Sequence, residues 1–121
     1  MGGLMSLYAV TARSDVFSRA GCLSPSVRLC MDPLLADLNR ARLPRDTRVF
    51  LSWGEKEAKG QHGLAQYTEN ALIVTRALQK AGASVYPYLQ MNGAHCEASW
   101  AEQVPLYMQV LFGEPYGEET K

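Results

Sequence analysis

The sequence lacks any imbalance of charge: twelve Lys and Arg offset twelve Asp and Glu. Without a net field, nothing steers such a chain toward nucleic acid, an anionic membrane or an acidic substrate, and its charges read as a solvated surface. Arg40, Arg42, Arg45 and Arg48 cluster, but no aromatic residue stands among them for bases to stack on. They too read as surface charge, and no nucleic-acid partner is expected. Cysteine is scarce as well: Cys22, Cys30 and Cys96 are odd in number and lack metal-ligand spacing. That argues against a disulfide framework or a zinc site and leaves simple buried thiols. No apolar run reaches the roughly 18 residues a membrane span requires. The start, MGGLMSLYAV, has no basic stretch ahead of its apolar residues and so does not read as a secretion leader. The native N-terminus is expected upstream of Met1, with the cytoplasm as the default compartment. Repeats and low-complexity segments are missing too.

What is present is an ordinary globular balance, 47% hydrophobic and 20% charged residues over 121 positions, which suits one domain. Leu4, Leu7 and Tyr8 recur at helical spacing up to Ala12, behind a tight turn at Gly2 and Gly3. A short strand is read over 16–23, closed by Ser24-Pro25-Ser26. Asp32 and Pro33 mark a helix start, as N-cap and first helical residue. Arg48 to Gly54 has the apolar run and glycine stop of a buried strand. Tyr67, Ala71, Val74 and Leu78 define one face of a helix over about 64–80, stopped at Ala81-Gly82. Ser84 to Leu89 is the third strand, a loop leads to His95, and one last helix is read over 97–112, with Gly113 as its cap. Residues 114–121 read as a polar tail.

Alternation of this kind implies an α/β fold of about three parallel strands joined by crossover helices. Active sites in such sheets gather at the C-terminal strand ends. Two loops qualify, the one after Trp53-Gly54 and the one carrying His95. A parallel sheet this small, entered through a helix, would leave an edge uncovered, so the chain reads as part of a larger fold or as one that self-associates through that edge.

Three marks occur in order: Met1-Gly2-Gly3 before a small-residue helix, Gly54-Glu55-Lys56-Glu57 after a strand, and Asn92-Gly93-Ala94-His95-Cys96-Glu97-Ala98-Ser99-Trp100 before a helix ending Leu111-Phe112-Gly113. Together they resemble the C-terminal portion of the esterase family of α/β-hydrolases that includes enterochelin esterases, feruloyl esterases, S-formylglutathione hydrolases and mycolyltransferases. The resemblance spans residues 1–113 and implies a serine carboxylic ester hydrolase acting on a small-molecule ester without metal or organic cofactor. It implies that His95 is the general base, and Ala94 replaces a glycine common in the family. The family's Gly-x-x-acid pattern maps onto Glu57, which the resemblance implies is the triad acid, with Glu55, nearer the strand end, as the alternative. Gly2 and Gly3 would close the nucleophile elbow, G-x-S-x-G, and the Met1 backbone N–H would serve the oxyanion hole. The nucleophile then falls immediately upstream of Met1, and the chain as it stands is expected to be inactive or a non-catalytic remnant. Trp100 either supports the histidine loop or lines the acyl pocket, with core packing preferred, and Trp53 faces the same choice. His62 reads as a surface-loop residue.

Overall fold

A computed structural model of the protein describes residues 1–114, so the tail beyond Glu114 lies outside the described residues. Three parallel strands, β1 (Arg19–Leu23), β2 (Arg48–Gly54) and β3 (Ser84–Gln90), form one sheet in the order β1-β2-β3. Arg48 stands between Arg19 and Ser84, and Ser52 between Leu23 and Tyr88, so the C-terminal ends of the strands come together at one edge. The helices are α1 (Gly2–Ala12), α2 (Met31–Arg40), α3 (Gly60–Ala81), α4 (Glu97–Ala101) and α5 (Val104–Phe112). This is an α/β architecture. None of the described helices is long and apolar enough to cross a membrane.

Strand periodicity divides the core. Val49, Leu51 and Trp53 of β2 join Ala20, Cys22 and Val85 on one face, packed with Leu7 and Val10 of α1, Leu38 of α2, and Ala71, Val74 and Leu78 of α3. On the other face Phe50 is fully buried against Val110 and Leu111 of α5, with Tyr86, Tyr88 and Tyr107 around it. The Phe50 ring centroid lies 5.8–5.9 Å from each of those three rings. A sheet covered on both faces explains why β2 is an almost unbroken apolar run rather than an alternating one.

Several local expectations are corrected. Gly2 and Gly3 are the first turn of α1 rather than a turn before it. The first strand loses residues 16–18 and starts at Arg19. α2 starts at Met31 with Cys30 as its N-cap, so Asp32 and Pro33 sit inside the first turn, where a missing N–H has no intrahelical partner to lose. α3 starts at Gly60, which places His62 on a helix, exposed as expected. The single last helix is two: Pro105 has no N–H, and its ring would meet the carbonyl four residues back, so the helix breaks at 102–103 and restarts at Val104. Of the three thiols only Cys22 is fully buried. Arg48 is not surface charge: its Nη1 donates to the carbonyls of Gly113 at 2.9 Å and of Val110 and Leu111 at 3.3 Å. Arg19 Nε donates to the Leu111 carbonyl at 2.7 Å, so two guanidinium groups satisfy the carbonyl end of α5.

Candidate active site

β2 delivers the acid. It ends at Gly54, and a 3₁₀ turn over Glu55–Glu57 folds the chain back so that Glu57 Oε2 accepts the Gly54 N–H at 2.6 Å. The same oxygen accepts the Ser24 hydroxyl at 2.6 Å, from the residue just after β1. The Glu57 side chain is 5% exposed.

β3 delivers the base. After Gln90 the chain turns through Asn92, which takes a left-handed φ of 63°, a conformation asparagine tolerates well. Gln90 Nε2 donates to the Ser99 carbonyl at 2.8 Å, and Gln103 Nε2 donates to Gln90 Oε1 at 2.7 Å, tying the strand end to α4 and to the turn before α5. Ser99 Oγ accepts the Ala94 N–H at 3.0 Å. The loop carrying His95 is thus held from both sides.

The two loops are fastened to each other. Lys56 N–H donates to the Gly93 carbonyl at 2.7 Å, and Glu55 Oε1 accepts the Asn92 N–H at 2.7 Å. A Cβ on Gly54 would run into the Gly93 carbonyl, so only glycine permits this approach. The product of the fastening is one contact: His95 Nδ1 lies 3.0 Å from Glu57 Oε1. With the carboxylate ionised it can only accept, and the proton of this contact then sits on Nδ1, with Nε2 as the basic nitrogen. Nε2 has no hydrogen-bond partner among the described residues, and the His95 side chain is 49% exposed.

Of the two acids named from the sequence, Glu57 meets His95 and Glu55 does not. Trp100 does not belong to the core: it is half-buried, its ring stands edge-on to the His95 ring with centroids 4.9 Å apart, and its Nε1 donates to Ser24 Oγ at 3.0 Å. Trp53 is buried, and its Nε1 donates to Thr68 Oγ1 at 3.0 Å. Met1 is the N-cap of α1. A Cβ on Gly3 would lie 2.5 Å from the Leu23 carbonyl oxygen, so α1 begins pressed against the end of β1, next to Ser24.

A cavity of about 260 Å³ opens beside the pair. His95 and Glu57 form part of its wall, where the apolar Val27, Leu51 and Trp53 alternate with the polar Arg28, Ser52 and Asn70. Trp100 stands outside that wall. Cys96, next to His95, has its thiol held below the ordinary range by its hydrogen bond with Ser99. Among the described residues no group of three His, Cys, Asp or Glu is placed to hold a metal ion.

Ser24 escaped the sequence reading, which saw only a turn in Ser24-Pro25-Ser26. Its partners lie 33 and 76 residues away, and no local pattern announces them. A scan of protein-family models, a search of curated proteins and a search of solved structures each find no match to the chain.

Proposed function

We propose that this chain carries the acid–base machinery of a serine carboxylic ester hydrolase, with His95 as general base and Glu57 as its orienting acid. The observation that carries the reading is the 3.0 Å contact of His95 Nδ1 with a buried carboxylate, at the C-terminal edge of a parallel sheet and on the wall of a cavity. A base oriented by a third group, with its other nitrogen unpartnered, is the arrangement that activates a hydroxyl nucleophile.

In this reading the nucleophile is a serine directly ahead of Met1, completing the elbow whose glycines are Gly2 and Gly3. The packing of Gly3 against Leu23 supports it, because the start of α1 then shares an edge with Ser24, Glu57 and His95. His95 Nε2 takes the serine proton as the oxygen bonds to the ester carbonyl carbon, and the Met1 N–H contributes to the oxyanion hole. Collapse of the tetrahedral intermediate breaks the bond to the alcohol oxygen, which leaves with the proton from Nε2. Water then repeats the sequence, giving its proton to Nε2 and releasing the acid. Glu57 stays ionised throughout and balances the imidazolium. The cavity suits a short apolar acyl or alcohol group, and no metal or cofactor is needed.

The test is covalent. A fluorophosphonate offered to the protein extended upstream of Met1 should label one serine, located by mass spectrometry immediately before Met1, and His95→Ala should abolish the labelling. A different residue at that position, or labelling unaffected by His95→Ala, overturns the reading.

A second reading rests on the edge of β1, which among the described residues pairs with β2 alone, while Val16 and Phe17 just before it and Met5 and Tyr8 on α1 are exposed. An unpaired edge flanked by apolar side chains favours pairing with a second chain, and the protein then acts as a non-catalytic interaction module.

A further inference from the structure

Three donors meet the Glu57 carboxylate, and their chemistry sets the direction of each bond. An indole N–H only donates, an ionised carboxylate only accepts, and the Ser24 hydroxyl has a single hydrogen. The chain therefore runs one way, from Trp100 Nε1 to Ser24 Oγ at 3.0 Å, and from Ser24 Oγ to Glu57 Oε2 at 2.6 Å. The Gly54 N–H occupies the same Oε2 at 2.6 Å, which leaves Oε1 for His95 Nδ1 at 3.0 Å. Two donors on one oxygen stop the carboxylate from rotating. Ser24 also holds the indole whose ring stands at 84° to the imidazole, so one hydroxyl restrains His95 from two sides.

The backbone adds an independent observation. Ser24 is buried and adopts a left-handed φ of 49°. Glycine enters that region freely, and serine enters it at a cost. A serine held there, with its hydroxyl committed as both donor and acceptor, is strain retained for what the side chain does.

We infer that Ser24 is a positioning residue for His95, acting through Glu57 and Trp100 to hold the imidazole in the Nδ1–H tautomer with Nε2 free. The inference rests on the reading of His95 as general base for its catalytic meaning, but its test requires neither substrate nor nucleophile.

The protein has two histidines and two tryptophans, so each nuclear magnetic resonance signal carries its own control. His62 is exposed on α3, and Trp53 Nε1 donates to Thr68, away from Ser24. Long-range ¹H–¹⁵N correlation spectra should show neutral His95 as the Nδ1–H tautomer in the unaltered chain. Ser24→Gly removes the hydroxyl while relieving the backbone, and Ser24→Ala removes it without that relief. Each should move the His95 tautomer ratio toward Nε2–H by roughly tenfold, about the worth of one charge-assisted hydrogen bond. The Trp100 indole N–H should shift with it, while His62 and Trp53 stay where they were. If Ser24→Ala fails to fold, Ser24→Gly decides alone, since its backbone is the less strained. An unchanged His95 ratio in Ser24→Gly with Trp53 undisturbed overturns the inference and reduces Ser24 to a turn residue. Failure of the fluorophosphonate labelling would instead strike the hydrolase reading and leave this result standing.

Discussion

Two carboxylates two residues apart show how far spacing alone can go. Glu55 and Glu57 both follow β2, and the sequence named both; only the fold-back of the 3₁₀ turn sends Glu57 to His95 and Glu55 to the backbone of Asn92. Their substitutions should separate accordingly. Glu57→Gln in the protein extended upstream of Met1 should lower kcat by about 10³- to 10⁴-fold, because an amide holds the wrong imidazole tautomer. Glu55→Gln keeps an acceptor for Asn92 and should leave kcat/KM close to the original. Equal losses at the two positions would contradict the assignment. Cys22 makes a different residue-scale prediction. Burial pushes its thiol up to about 12 from an ordinary value of 9.0. The folded state therefore binds a proton that the unfolded state releases above about 9, and stability present below that pH should be lost as pH rises toward about 12. The size is a few kcal/mol at most, at about 1.4 kcal/mol per unit. Urea titrations between pH 8 and 11 should show the slope, and Cys22→Val should flatten it.

Among the elements, β2 was legible because a buried parallel strand is an apolar run with a glycine at its end, whereas the first strand was read three residues too long at its start. β2 and β3 differ from the reading by a residue at most. Helix boundaries were less so. The stretch from Glu97 to Phe112, with Gly113 as its cap, read as one helix, and the steric rule at Pro105 overrode it. That break lets Gln103 turn inward and bond Gln90, which steadies the histidine loop. α5 is the one described helix in the second core cluster, and two interactions hold it there: the Phe50 contacts and the guanidinium groups of Arg19 and Arg48. Arg48→Met keeps the aliphatic stem and removes three donor contacts, so it should cost about 1.5–3 kcal/mol in chemical denaturation. Phe50→Ala should cost about 3–5 kcal/mol. A negligible loss for either would mean that α5 is held by something else. Gly54→Ala should damage the site more than the fold, since the added methyl pushes against the carbonyl of Gly93 and parts the two loops.

For the molecule as a whole, alternation of strand and helix was enough to foresee a three-stranded parallel α/β sheet with its candidate loops at one edge. What alternation cannot show is convergence across long sequence distances. Ser24, Glu57, His95 and Trp100 come from four segments; the strand-end rule pointed to the loops of Glu57 and His95, and the family resemblance then picked out those two residues and Trp100. Ser24 had no such motif and was found only in the folded chain. The whole-molecule alternative, pairing through the β1 edge, makes its own prediction. Sedimentation of the chain should show association at micromolar concentration that Phe17→Lys disperses; a monomer at all concentrations removes that reading.

The most direct test of the hydrolase account is the hydrolysis of p-nitrophenyl acetate by the protein extended upstream of Met1, beside the same protein carrying His95→Ala. The account predicts turnover in the first and a loss of about 10⁴-fold or more in the second. A folded, extended protein that leaves this and longer acyl esters intact, or that hydrolyses them equally well without His95, would contradict it.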